Sequence, residues 1–365
     1  MRPVGITERL LMGPGPSNPY PEVTMALAGP VIGHLDPQFL ALLDDTNDRL
    51  RRVFATTNAL TLPISGTGSA GMEASFVNFA RPGAPIVVGV NGVFGERMCE
   101  VAGRLGAEVV RVEAPWGEPI DPDRLLSAHA SPSIIAVVHA ETSTGVRNDI
   151  EPLGRGKGDA LLLVDMVTSL GGIEVAVDEW SVDIAYSGTQ KCLGVPPGLA
   201  PLTVSSRALD RMVERPPSWY LDLNLLARYV QEGSGGGRVY HHTAPVTMVA
   251  ALHAGLGVLL DEGLAEVQRR HAACGKELQA GLEELGLELL VEPAHRLPQL
   301  TTVRIPKGVD DATCRGRLLA EYGIEIGAGA GQLAGQIWRI GCMGNTARKR
   351  NVVTLLAALK EVLGR

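Results

Sequence analysis

Aromatic side chains make up only 4% of the 365 residues, although 45% are hydrophobic. Such an interior must be filled by aliphatic groups, which fits an α/β core better than an aromatic-rich β-sandwich. No apolar run approaches 18 residues, so nothing reads as a membrane-spanning helix. Long runs of Lys or Arg are also missing, and the formal charge is −7, which argues against a general nucleic-acid binder. The five cysteines are odd in number and widely spaced, with no CxxC pair. Free thiols in a reducing cytosol are expected, and no residues are assigned to a metal. The first 19 residues lack the apolar core of a signal peptide, and the terminal "EVLGR" matches no address tag, so a cytoplasmic location is expected.

What is present is alternation. Between about residues 60 and 205, short runs rich in Val, Ile and Leu ("ALTLPI", "PIVVGV", "EVVRVEA", "IIAVVHA", "ALLLVD", "DIAYSG") are interspersed with helical patterns such as "GMEASFVNFA" and "GERMCEVAGRLG". Continuous apolar runs fit strands covered on both faces, and the alternation predicts a mostly parallel, doubly wound sheet. From residue 245 a long helical stretch, broken around Gly255, Gly257 and Gly263, leads into a smaller α+β unit. That unit is expected to hold strands at "LELLVE", "LTTVRIP" and "GQIWRIG", and helices at "DATCRGRLLAEYG" and "ARKRNVVTLLAALKEVL". The expected organisation is an arm over residues 1–20, a large domain over 21–255 and a small domain over 256–365. "QEGSGGGRVYHHT" (231–243) is the most loop-like segment.

"SGTGSAG" (65–71) carries G-x-G-x-x-G between a strand and a helix, the setting of a dinucleotide site. That fingerprint also needs an acid at the end of the next strand, where this chain has Asn91-Gly92. What remains is a glycine turn at a helix N-terminus, with the hydroxyls of Thr67 and Ser69, able to seat a phosphate or to serve as an ordinary βα turn.

Lys191 follows a strand end in "DIAYSGTQKCLG". A lysine there either reaches out to solvent or is desolvated, and a desolvated amine is a nucleophile that forms Schiff bases with aldehydes. Asp165 ends the strand "LLLVD", and in a parallel sheet both residues would face one mouth. A carboxylate for a pyridine nitrogen, an amine for an aldehyde and an anion cradle together describe a pyridoxal 5'-phosphate site. Phe94 follows another strand end and could stack on a flat ring or pack in the core. "ETSTGV" offers Thr142, Ser143 and Thr144, either to a ring oxygen or to their own turn. Arg339 in "QIWRIG" is either a surface residue or a fork for a substrate carboxylate.

The motifs "LLMGPGPSNP", "ISGTGSAGMEA", "ETSTGV", "LLLVDMVTSLGG", "YSGTQKCLGVPPG", "YHHTAPV" and "WRIG" run almost end to end through the chain. In them the sequence resembles the alanine–glyoxylate / serine–pyruvate aminotransferases, the class V branch of fold-type I pyridoxal-phosphate enzymes. The resemblance implies that Lys191 holds the cofactor covalently and Asp165 pairs with its ring nitrogen. It implies phosphate contacts from Thr67, Gly68, Ser69 and Gln190, and a ring held between Phe94 and Val167, with Thr142 near the phenolic oxygen. Arg339 would bind the substrate carboxylate and Gly15 would line the mouth. Tyr240 and Thr243 would reach the phosphate in a neighbouring subunit, implying a homodimer. Phe94 and Ser69 depart from relatives that carry Trp and His there.

The implied activity is transamination from a small donor, alanine or serine, to glyoxylate or pyruvate. A ureidoglycine–glyoxylate aminotransferase shares the scaffold and the acceptor. A class V lyase of the desulfurase kind would need a mobile cysteine, for which only Cys342 lies near a site residue.

Overall fold

The computed structural model describes residues 5–230 and 238–365. Residues 1–4 of the expected arm and 231–237 of the glycine loop lie outside the described residues.

The apolar runs form a seven-stranded sheet: β1 (Leu60–Ser65), β2 (Pro85–Val90), β3 (Glu108–Glu113), β4 (Ile134–Val138), β5 (Leu161–Asp165), β6 (Ile184–Tyr186) and β7 (Leu199–Val204). Their spatial order is β1-β7-β6-β5-β4-β2-β3. The run β6-β5-β4-β2-β3 is parallel throughout, while β7 is antiparallel to both its neighbours, β1 and β6. Every residue of β4 and β5 is buried, as expected of strands covered on both faces. The sequence reading missed β7. Its Pro201 sits in register opposite Pro63, in a strand whose six residues are all buried.

Helix α1 (Pro37–Phe54) starts with the Asp36 side chain accepting from the Gln38 N–H at 2.8 Å. It packs on β1 and on the long helix α4 (Val246–Glu262). Helices α2 (Gly68–Val77) and α3 (Val93–Arg104) follow β1 and β2. The expected three-glycine break is a single one. Gly263, at φ 87°, separates α4 from α5 (Leu264–Glu284), and the two axes meet at 86°. Gly255 lies inside α4, where a Cβ would strike Val195 and the Leu193 carbonyl.

The large aliphatic core takes in Val249, Leu252, Leu256 and Leu259 of α4 and reaches Val267 of α5. A second core starts at Cys274 and joins Leu278 and Leu282 to Trp338, Ile340, Leu355 and Leu359. It is built on β8 (Leu300–Arg304), β9 (Gly327–Ala328) and β10 (Ile337–Gly341), in the order β8-β10-β9, with α6 (Asp311–Tyr322) and α7 (Lys349–Val362). "LELLVE" is not a strand of this sheet and contributes one bridge, Leu289 opposite Val303. The N-terminal arm belongs to this unit by contact. Leu10–Leu11 pair in parallel with Ile324–Glu325, and Met12 is fully buried in the second core.

Among the described residues no single helix is long and apolar enough to cross a membrane.

Candidate active site

The carboxyl ends of the parallel strands gather the chemistry, as doubly wound sheets do. Asp165 is the last residue of β5 and only 2% exposed. Its Oδ1 accepts from the Val167 N–H at 2.8 Å, and its Oδ2 from the Tyr186 hydroxyl at 2.7 Å. Burial pushes the carboxyl up to about 6, against the opposing pull of the Tyr186 and Val167 hydrogen bonds and of Lys191.

Lys191, 8% exposed, lies in the loop after β6. Its Nζ donates to the Pro14 carbonyl of the arm. Desolvation first, and then the neighbouring Arg339 cation, bring its pKa down to about 8. The site therefore holds an amine that loses its proton near neutral pH, in the field of a buried carboxyl. Gly15, at φ +105°, is glycine for a local reason: a Cβ there would fall 2.6 Å from Lys191 Nζ.

Beyond β1, Gly66 and Thr67 turn the chain into α2. Thr67 makes no side-chain cap, so the first N–H groups of α2 face outward, and Thr67 and Ser69 are exposed beside them. Gly68 lets this turn close on Val167, whose Cγ2 would be 2.9 Å from an added Cβ. Gln190 brings its Oε1 to the same neighbourhood, 2.9 Å from where a Cβ on Gly188 would stand. That oxygen is buried and without a hydrogen-bond partner among the described residues. Turned about its terminal bond, the same amide presents its N–H2 to this space, and that donor beside a helix N-terminus fits an anionic group with accepting oxygens.

Phe94 is half-buried in the first turn of α3. The "ETSTGV" turn singled out in the sequence fixes it there, in a role the sequence did not reveal. The Val93 N–H donates to Ser143 Oγ at 2.9 Å, while Ser143 donates both its N–H (3.0 Å) and its hydroxyl (2.6 Å) to Glu141 Oε1. Glu141 is fully buried and pushed up to about 6 by burial. Gly92 leaves room for this pair, since a Cβ there would overlap both side chains. Arg97 was missed: its guanidinium lies 5.0 Å from the Phe94 ring centre and donates to Ser69 Oγ at 3.3 Å.

Arg339 points inward from β10. Its Nε donates to the Ala328 carbonyl at 2.7 Å, and one Nη reaches the Thr142 carbonyl at 3.4 Å, so it is no surface residue. Thr142 is buried, with its hydroxyl on that of Thr168. The "ETST" turn is tied to the second unit by Thr302, whose hydroxyl donates to the Thr144 carbonyl at 2.8 Å.

Lys191, Asp165, Val167, Gln190, Gly15, Thr67, Gly68, Ser69, Phe94, Thr142 and Arg339 thus border one region. Tyr240 and Thr243 do not join it. Both are exposed, with hydroxyls 3.5 Å apart, and Tyr240 packs against the His34 ring. Cys342, the thiol a lyase would need, is completely buried and its pKa is raised by burial, the reverse of an activated nucleophile.

A mostly parallel sheet carrying a buried amine, a buried carboxyl and an anion cradle at its carboxyl edge defines a fold-type I pyridoxal-phosphate enzyme. The chain belongs to the class V aminotransferases: the family model "Aminotransferase class-V" matches residues 23–342. Among its relatives, an alanine–glyoxylate aminotransferase of Drosophila melanogaster is 39% identical over 371 residues, covering 99% of this chain and 94% of the relative. A (S)-ureidoglycine–glyoxylate transaminase of Bacillus subtilis is 39% identical over 380 residues, covering 97% and 90%. The crystal structure of an alanine–glyoxylate aminotransferase from Nostoc sp. superimposes with a TM-score of 0.96 at 48% identity, covering all of this chain and 97% of that one. The protein is an aminotransferase that uses pyridoxal phosphate.

Proposed function

We propose that this aminotransferase moves the amino group of alanine or serine to glyoxylate or pyruvate in two half-reactions on one site. The observation that carries the reading is the buried Lys191–Asp165 pair with Arg339 beside it. When bound, the cofactor supplies an aldehyde that carries the amino group and a ring that accepts electrons.

The chain's residues have separable tasks. Lys191 Nζ would hold the cofactor and, once freed, would carry the proton of the substrate α-carbon to the carbon of the cofactor's aldehyde group. Its lowered pKa suits that exchange near neutral pH. Asp165 would pair with the ring nitrogen and keep that nitrogen protonated. Thr67, Gly68, Ser69 and Gln190 would receive the phosphate, Phe94 and Val167 would hold the ring, and Thr142 would serve its phenolic oxygen. Arg339 binds the substrate carboxylate through its guanidinium. Ala328 and Thr142 anchor that guanidinium near Lys191, and Gly15 leaves room beside the amine.

We also propose a homodimer in which Tyr240 and Thr243 complete the partner's phosphate site. Their exposure supports it, as do the neighbouring exposed side chains Trp219, Tyr220 and Val239, an apolar patch that a second copy would cover.

The ureidoglycine relative favours a second reading, with (S)-ureidoglycine as donor and glyoxylate as acceptor. One experiment separates them. The yellow loaded enzyme is mixed with alanine, serine or (S)-ureidoglycine, and bleaching is followed; regeneration is then tested with glyoxylate and pyruvate. Fast bleaching by alanine or serine supports the first reading. Bleaching by ureidoglycine alone supports the second, and none by any of the three refutes both.

A further inference from the structure

Tyr186 is the last residue of β6 and stands in register with Asp165 at the end of β5. Its phenol is completely buried, and its hydroxyl donates to Asp165 Oδ2 at 2.7 Å. Helix α2 closes over the ring. A Cβ on Gly71 would lie 3.1 Å from Tyr186 Cβ and 3.4 Å from Cδ2. The third glycine of "SGTGSAG" therefore serves helix packing on Tyr186, and the same short helix connects the phenol to the anion cradle at its other end.

Asp165 is faced by Lys191 from the loop after β6, by Arg97 from α3 and by Glu141 beyond β4. Among the described residues Tyr186 is the only side chain that donates a hydrogen bond to it. With Oδ1 held by the Val167 N–H, the plane of the carboxylate is fixed at both oxygens.

We infer that Tyr186 is a positioning residue for the cofactor's ring nitrogen: by donating to Oδ2 it orients the Asp165 carboxylate and weakens its hold on a proton, so that the proton shared by Asp165 and the ring stays on the ring. The inference rests on the assignment of Asp165 to that nitrogen. A donor bound to the ionised form of an acid favours that form, and a charge-assisted bond does so strongly in a dry site. The phenol itself stays neutral, because burial and the adjacent Asp165 anion both oppose its ionisation. It therefore donates throughout the working pH range. A residue that merely filled space would be replaced without consequence by phenylalanine, which keeps the ring and removes only the donor.

The test is Tyr186→Phe, loaded with pyridoxal phosphate carrying 15N in the ring. The wild-type resonance is expected at the pyridinium position. In the variant it should move toward neutral pyridine, with kcat falling about tenfold or more and KM staying within about twofold. In parallel, 3-fluorotyrosine placed at position 186, a stronger donor of nearly the same shape, should lower the Asp165 titration midpoint in the cofactor-free protein, read by carboxyl 13C NMR. That arm stands even if Tyr186→Phe fails to fold. An unmoved nitrogen resonance in a loaded variant, or a midpoint that does not fall with fluorotyrosine, overturns the inference. A wild-type protein that takes no cofactor onto Lys191 overturns the parent reading, and this one with it.

Discussion

Lys191 and Asp165 are both taken out of water, and each responds by moving toward its neutral form, the amine down to about 8 and the acid up to about 6. That cost has a measurable sign. An acid whose folded pKa lies above its unfolded value binds a proton on folding. Its contribution to stability is therefore full below about pH 4, is lost as pH rises to about 6, and does not return above. Asp165→Asn removes this term. Across that window the cofactor-free variant should gain on the wild type by up to about 3 kcal/mol in denaturant titrations at pH 4 and pH 7. His139 and His271, lowered to about 3 and about 4, cost stability as pH falls but are common to both proteins and cancel, whereas Glu141, whose pKa the Asp165 charge helps to raise, titrates lower in the variant and adds to its gain in the same window. The same variant should transaminate about a hundredfold more slowly, or worse. Arg339→Ala should raise KM for the amino and the oxo acid alike, by about tenfold or more, since both would lose the same charge-assisted hydrogen bonds. Steady-state kinetics in both directions read this, and an unchanged KM for either substrate would exclude the carboxylate fork.

At the scale of elements, the sequence was legible where burial imposed a continuous apolar run. Five of the seven sheet strands read that way, and the edge strand β3 was found from its valines although only Val112 is buried. β7 was missed, because no helix separates it from β6 and its antiparallel course escapes a strand–helix alternation. "LELLVE" failed in the other direction. It has the apolar residues of a strand but meets β8 only at Leu289. Leu10–Leu11 form a pairing too short for any periodicity to reveal. Glycine was ambiguous inside the long helical stretch: Gly255 is there for packing and only Gly263 for backbone freedom. Gly263→Ala should accordingly cost about 1–3 kcal/mol by thermal denaturation, through conformation alone, because no atom lies within 4 Å of its missing Cβ.

For the whole molecule, the residues that carry unusual chemistry were readable one by one, and the residues that support them were not. Lys191 and Asp165 stand out as charges at strand ends. Tyr186 looks like an ordinary strand residue until the register places it opposite Asp165, and a reading of which strand ends are neighbours would have found it. Glu141 and Ser143 were noticed as part of a polar turn, but their hold on the first turn of α3 depends on the fold of two distant segments. The proposed shared site predicts complementation. Lys191→Ala and Tyr240→Ala, each impaired alone, should regain activity when refolded together, since a mixed dimer contains one intact site. Separately refolded samples that are merely mixed provide the control, and no recovery would count against Tyr240 acting across an interface.

The most direct measurement is borohydride reduction of the loaded enzyme, followed by peptide mass spectrometry. A phosphopyridoxyl group on Lys191, absent from Lys191→Ala, is the predicted result. The same group on another lysine of the wild type, or on none, would contradict the account.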